Sequence, residues 1–374
     1  MKVLFQCPYY APEVGGLESH VRDLSEGLAR RSHKVTMLTS RSRPGLSARE
    51  EIAGVRVRRA WMPARTPTGW IAHVAATVPV HARLARDADI LHAHTFASVL
   101  PALLNRSRHR RPLVVTLHTS HFLMRAEKTR WRPILRRLIR AADYLLATSE
   151  EIRDVALGIY PHPRAEAITN PVDTDRFSPT DAPPDSGRLR IIVPRRLFPK
   201  NGVEYFVRAM PLIAQRLDAE AWVVGDGPER VRLTALAEEL GVRDRIEFLG
   251  ARPHDEMPEL LRSAHLAVIP SLMEATSIAA LEAMSSGLPV AASAVGGLPE
   301  LIDDQVGALF QAGDPESMAD TITTLLQRPG LRELGRIGRE RVVAKWSLGR
   351  MLDRHEEIYR ELLDIAEANR DGPI

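Results

Sequence analysis

Short runs of β-branched and apolar residues recur along the first half of the chain, at 3–6, 34–38, 55–58, 90–94, 113–118 and 144–148, and each reads as a strand. Between the first two, residues 16–31 carry Val21, Leu24 and Leu28 at helical spacing. Strands that alternate with helices predict a parallel, doubly wound sheet, whose ligands sit at the carboxyl ends of the strands. That draws attention to residues 12–16, after the first strand, and to His94 and His118 at the ends of theirs. A Pro-rich polar stretch follows at 176–188, with Pro179, Pro183, Pro184 and Gly187, and reads as a linker. The alternation then resumes, with strands at 189–194, 220–224, 246–249, 266–269 and 290–292 and helices at 205–217 and 230–240. Residues 348–368 are amphipathic with helical period.

The pattern therefore predicts two α/β domains, and 374 residues is the length at which one core usually gives way to two. The expected boundaries are 1–178 and 186–347, with 348–374 as a helix packing back across the domains. The longest uncharged stretch, 66–82, is interrupted by Gly69, His73, Pro79 and His81 and fails as a membrane span. Met1-Lys2 leads straight into the first strand, too short an apolar run for a signal-peptide core. One cysteine, Cys7, excludes an internal disulfide and a cysteine-based zinc site and fits a reducing cytoplasm.

Charge is uneven. Residues 1–175 hold 27 Lys and Arg against 16 Asp and Glu, and the remainder 24 against 31, so the first half favours an anionic partner. Nucleic acid is not that partner: no helix-turn-helix, zinc finger or aromatic RNA-binding signature is present. Residues 125–140, with seven basic side chains, Trp131 and apolar residues at helical spacing, read as a basic amphipathic helix. It is either a dock for anionic lipid headgroups or a solvated face over an ordinary core contact.

The most informative segment joins a strand to a helix: Pro270-Ser271-Leu272-Met273-Glu274-Ala275-Thr276-Ser277-Ile278-Ala279-Ala280-Leu281-Glu282-Ala283-Met284. Glu274 and Glu282 are about two helical turns apart, so both can face one cavity at different depths. The amides of Thr276, Ser277 and Ile278 stand at the positive end of the helix, where a diphosphate binds. Spacing alone fits an ordinary surface helix equally well.

This segment resembles the signature of the family-4 retaining glycosyltransferases. Further matches run along most of the chain, among them Gly15-Gly16-Leu17-Glu18, His92-Ala93-His94, Thr116-Leu117-His118, Asn170-Pro171-Val172-Asp173, Gly225-Asp226-Gly227-Pro228 and Val295-Gly296-Gly297-Leu298-Pro299-Glu300. The resemblance implies the GT-B fold, two Rossmann-like domains facing a central cleft. It implies a hexosyl-type transfer with retention, from a nucleotide-sugar donor to a glycan, lipid-linked or polyol acceptor, with no metal or other cofactor. By the same resemblance, Glu282 holds the ribose hydroxyls and Glu274 those of the transferred sugar. Gly15 and Gly16 admit the diphosphate closely because glycine tolerates the dihedrals and a Cβ would block the approach. Arg196 neutralises the leaving diphosphate in place of a metal, and His118 faces the donor sugar. His94 either lines the acceptor side or caps its strand, and Glu300 either contacts the donor or decorates a helix start.

Two departures stand out. Lys200 comes one residue early relative to the family's Lys-Gly pair, which leaves Asn201 as an alternative donor of a hydrogen bond. Ala275-Thr276-Ser277 replaces a glycine-rich stretch, so the hydroxyls of Thr276 and Ser277 either bond phosphate or cap the helix. No Gly-x-Gly-x-x-Gly follows the first strand, which disfavours a hydride-transfer enzyme, and no pyridoxal phosphate site is evident, which disfavours a phosphorylase. The enzyme is expected in the cytoplasm, with docking to the inner face of the membrane through 125–140.

Overall fold

The structure is a computed structural model that describes residues 1–13, 15–95, 98–109, 111–180, 187–274 and 277–371. It divides into two compact units, Met1–Asn170 together with Leu348–Ile374, and Pro171–Ser347. The division falls upstream of the polar stretch 176–188, whose described residues lie in the second unit.

In the first unit the strands are β1 (Lys2–Gln6), β2 (Lys34–Ser40), β3 (Arg49–Ile52), β4 (Val55–Ala60), β5 (Ile90–His94), β6 (Leu113–Leu117), β7 (Tyr144–Ala147) and β8 (Ala165–Ala167). They form one sheet in the order β3-β4-β2-β1-β5-β6-β7-β8. All pairs are parallel except the edge pair β3–β4. Every residue of β5, β6 and β7 is buried, as expected for strands covered by helices on both faces. The helix Gly16–Arg30 buries Val21, Leu24 and Leu28, the residues whose spacing announced it, together with His20.

The C-terminal helix Leu348–Asp371 groups with this unit. It buries Met351, Leu352, Ile358, Tyr359 and Leu362 in the same core as Val21, Leu24 and Leu28.

The second unit contains β9 (Leu189–Pro194), β10 (Ala219–Val224), β11 (Ile246–Gly250), β12 (Leu266–Ile269), β13 (Val290–Ser293) and β14 (Gly307–Phe310). All pairs are parallel, in the order β11-β10-β9-β12-β13-β14. From β9 the chain winds outward through β10 and β11, then returns to the other side of β9 as β12. That reversal opens a crevice at the carboxyl ends of β9 and β12. The first unit reverses in the same way between β1 and β5.

Most predicted elements lie within a few residues of the observed ones. The exception is 125–140, which is not one helix. A helix Thr119–Ala126, a 3-10 turn Thr129–Trp131 and a helix Arg132–Ala141 share it, broken where Lys128 is extended and Pro133 starts the next helix. Residues 66–82, rejected as a membrane span, lie in the helix Pro67–Leu84 and its N-cap Thr66. Among the described residues no helix is long and apolar enough to cross a membrane.

Candidate functional site

Two loops of the second unit meet at the β9/β12 crevice. After β9 come Arg195, Arg196 and a 3-10 turn Pro199–Asn201, closed by Gly202 at φ 66°. A Cβ on Gly202 would lie 1.8 Å from the carbonyl oxygen of Pro270, so only glycine lets this loop rest on the one that follows β12. The Leu272 amide donates to the Lys200 carbonyl at 2.9 Å and completes the seam. On the other side Gly296, at φ 52°, abuts Glu274: a Cβ there would lie 1.7 Å from the Glu274 carbonyl oxygen. The backbone that carries Glu274 is thus clamped from two directions.

The crevice holds a cavity of about 310 Å3 lined by Arg195, Arg196, Lys200, Asn201, Glu274 and Glu282, with Ile278 at the helix start. The Arg195 guanidinium pairs with the Glu274 carboxylate and donates to the Ser271 hydroxyl. Ser271 in turn donates to Glu274 at 3.2 Å. Burial, and then the neighbouring charge of Arg196, pushes Arg195 down to about 10. Two guanidinium-bearing residues side by side, one largely desolvated, attract an anion. Glu282 is buried, and His254 Nε2 donates to its Oε1 at 2.7 Å.

Of the residues named from sequence, Arg196, Lys200, Glu274, Ile278 and Glu282 therefore line one cavity. Ser277 caps the helix Ile278–Ser285, its hydroxyl accepting from the Ala280 amide at 3.3 Å. Thr276 and Ala275 lie outside the described residues, as does Val14. The Asn201 side chain donates to the Arg196 carbonyl at 2.6 Å, which ties the loop together. Glu300 sits in the first turn of the short helix Leu298–Leu301. Arg195, Ser271 and His254 were missed. Arg195 shares the post-strand position with Arg196, and only the twist of the chain decides which of them meets Glu274. His254 comes from a distant 3-10 turn and had no local signal.

The remaining named residues stand in the first unit. Gly15 is extended at φ −176°, and a Cβ there would meet only the carboxylate end of Glu18; around Gly16 nothing lies within 4 Å of such a Cβ. The dihedral argument for these glycines is therefore corrected, since any residue adopts the Gly15 conformation. Open space at Gly16 remains, which close approach of a ligand requires.

His118 precedes the helix Thr119–Ala126 and is nearly buried. Its Nε2 lies 3.0 Å from His94 Nδ1. His94 is fully buried, and its Nδ1 partners His118. His94 stacks on His92 with ring centroids 4.2 Å apart, and His92 pairs with the hydroxyls of Tyr359 and Thr116, each at 2.7 Å. Burial, reinforced by the neighbouring histidines, holds His92, His94 and His118 well below the ordinary imidazole range, with His20 at about 3 and His355 at about 4 through burial above all. The cluster is neutral at physiological pH.

Comparison with known proteins agrees with this architecture. The family model described as Glycosyltransferase Family 4 matches residues 14–176, and that described as Glycosyl transferases group 1 matches residues 176–341. A phosphatidylinositol N-acetylglucosaminyltransferase subunit of Arabidopsis thaliana is 30% identical over 331 residues, covering 86% of this chain and 73% of the relative. A D-inositol 3-phosphate glycosyltransferase of Salinispora arenicola is 33% identical over 315 residues, covering 75% and 70%. Sucrose-phosphate synthase from Thermosynechococcus elongatus superposes with a TM-score of 0.79 at 23% identity over 97% of this chain and 99% of the other. Anabaena HepE, solved in complex with UDP, gives 0.77 at 20% identity over 96% and 100%. The fold is GT-B, and the chain belongs to the family-4, group 1 glycosyltransferases.

Proposed function

We propose that the enzyme transfers a hexosyl-type sugar with retention, and without a metal, from a nucleoside diphosphate to a hydroxyl of an inositol-phosphate-type acceptor. The observation that carries the donor half is the cavity at the β9/β12 crevice, where Arg196 and Lys200 stand with Glu274, Glu282 and a helix start. The cations and the Ile278 amide receive the diphosphate. Glu282, steadied by His254, accepts from the ribose hydroxyls, and Glu274 accepts from those of the sugar. Arg196 supplies the charge stabilisation that a metal would otherwise provide. To His118, held neutral, we assign the stabilisation of positive character on the sugar, since a neutral imidazole favours a cation that a protonated one would repel.

Retention follows from front-face displacement: the bond from the anomeric carbon to the phosphate oxygen breaks, and the acceptor oxygen bonds on the same face. The departing phosphate oxygen takes the acceptor's proton. The acceptor half rests on the substrates named for the two relatives, phosphatidylinositol and inositol 3-phosphate, and on the basic first half of the chain.

A lipid-borne acceptor would be met at an anionic surface on the cytoplasmic side. Arg132, Arg136, Arg137 and Arg140 are exposed on the helix Arg132–Ala141, as are Ile134 on the same helix and Met124 on the helix Thr119–Ala126. Sedimentation with anionic but not neutral vesicles is the expected result, and equal non-binding to both removes the membrane reading.

The catalytic reading is tested by offering UDP-, GDP-, ADP- and TDP-hexoses with inositol 3-phosphate or phosphatidylinositol, with and without EDTA, and reading the product anomer by NMR. An EDTA-insensitive product with the donor's anomeric configuration is expected. An inverted product, or one lost to EDTA, contradicts the mechanism.

A further inference from the structure

Beneath the first unit's switch point, His20, His94 and His118 each offer one ring nitrogen, and these three atoms all lie within 4.8 Å of one another. Two observations mark them as more than packed core. His20 Nδ1 lies 3.0 Å from the Asn170 carbonyl oxygen, which only accepts, so the proton sits on Nδ1 and Nε2 is a bare lone pair, buried without a partner. An imidazole held by a hydrogen bond at one nitrogen and bare at the other is how proteins present histidine to a metal. His94 Nε2 is likewise buried without a partner, so nothing fixes its tautomer; with the proton on Nε2, its Nδ1 faces His118 as a second lone pair.

We propose that His20, His94 and His118 form a binding site for a divalent transition-metal ion of the Zn2+ type. Ring centroids are 4.9 Å apart for His20 and His118, 5.3 Å for His94 and His118, and 6.0 Å for His20 and His94. Three imidazoles sharing a tetrahedral ion, with Zn–N of about 2.0–2.1 Å, place their centroids about 5 Å apart and their ligating atoms about 3.3 Å apart. His94 and His118 come near that spacing at 3.0 Å, and closing the widest separation, within 4.8 Å, to about 3.3 Å takes a shift of up to about 1.5 Å. Three histidines leave the fourth position open, and imidazole ligation selects Zn2+, Cu2+ or Ni2+ over Mg2+ or Ca2+.

None of the three histidines lines the diphosphate cavity, and the transfer proposed above uses no metal. Occupancy of the site takes His118 Nε2 out of use, so metal binding inhibits the enzyme. That consequence rests on the role proposed for His118; the binding does not.

The test titrates the full-length protein, treated with EDTA and exchanged into metal-free buffer, with Co2+ followed by visible absorption and with Zn2+ alone followed by calorimetry. One equivalent of Co2+ should give the intense absorption of a low-coordinate complex, and Zn2+ should displace it. H20Q and H94Q, checked for folding by circular dichroism, should each weaken binding at least tenfold, whereas H33Q, outside the cluster, should not. Absence of uptake by the wild-type protein overturns the site, as does uptake unchanged in both variants. Binding with transfer undiminished keeps the site but contradicts the role of His118, so the two failures are distinguishable.

Discussion

In the second unit Glu274 and Glu282 reach a crevice open to water and are already engaged, one by Arg195 and Ser271, the other by His254. In the first unit His20, His92, His94, His118 and His355 are buried, and three of them keep a ring nitrogen with no partner. Both regions lie at the reversal of a parallel sheet, yet they hold polar groups by different means. Carboxylates and guanidiniums stay charged only where partners or water remain, whereas imidazole survives a dry interior by staying neutral. The first arrangement suits a ligand rich in phosphate and hydroxyls. The second suits neutral contact with a developing cation, or a metal.

The largest expected effect separates chemistry from stability. Glu274→Gln, which keeps the side chain's shape beside Arg195, should lower turnover about 10²–10³-fold with the fold retained by circular dichroism, the range seen when a group that stabilises the transition state is removed. Comparable turnover in variant and wild type would remove Glu274 from the mechanism.

Next come the glycines, where the regions differ most plainly. Gly296→Ala forces a Cβ against the Glu274 carbonyl at positive φ and should destabilise the protein by about 2–3 kcal/mol. Gly16→Ala meets nothing and should leave stability unchanged or raise it by about 0.5–1 kcal/mol, as alanine does in a helix. Chemical denaturation distinguishes them. A Gly16→Ala protein that is stable but inactive would identify Gly16 as a point of ligand approach.

His254→Ala should weaken nucleoside diphosphate binding about tenfold, the worth of one charge-assisted hydrogen bond that orients Glu282. Unchanged affinity would mean that Glu282 does not touch the nucleotide.

The smallest effect concerns the C-terminal helix. Burial raises the Glu166 carboxyl, but hydrogen bonds from Arg354 and Tyr144 outweigh it and hold the group below its ordinary value of 4.5. A lowered carboxyl stabilises the folded state above its unfolded value and loses that contribution as pH falls through the folded one. Protection factors for hydrogen exchange in Leu348–Asp371 should therefore fall on acidification below about pH 4.5, less so in Glu166→Gln. Equal pH dependence in both proteins would show that Glu166 does not fasten the helix.

The legibility of the sequence follows the same division. Period and β-branched runs located the central strands because parallel strands covered on both faces read as continuous apolar runs. The edge strands β3 and β8 escaped because REEI and AEA bury little. In the site, Glu274, Glu282, Arg196 and Lys200 were legible from a strand-to-helix motif and a resemblance that extended along the chain. Arg195, Ser271 and His254 were not, because their roles come from loops that meet only after folding. The burial of His94 beside His92 and His118 was not legible either, because nothing local shows which side chains close over the end of β5.

The most direct test of the donor site is calorimetric titration of the full-length protein and of Glu282→Ala with UDP, GDP, ADP and TDP, each with and without EDTA. The account predicts selective binding of one nucleotide by the wild-type protein, indifferent to EDTA and strongly weakened in the variant. Binding that the variant retains in full, or that EDTA abolishes, would contradict it.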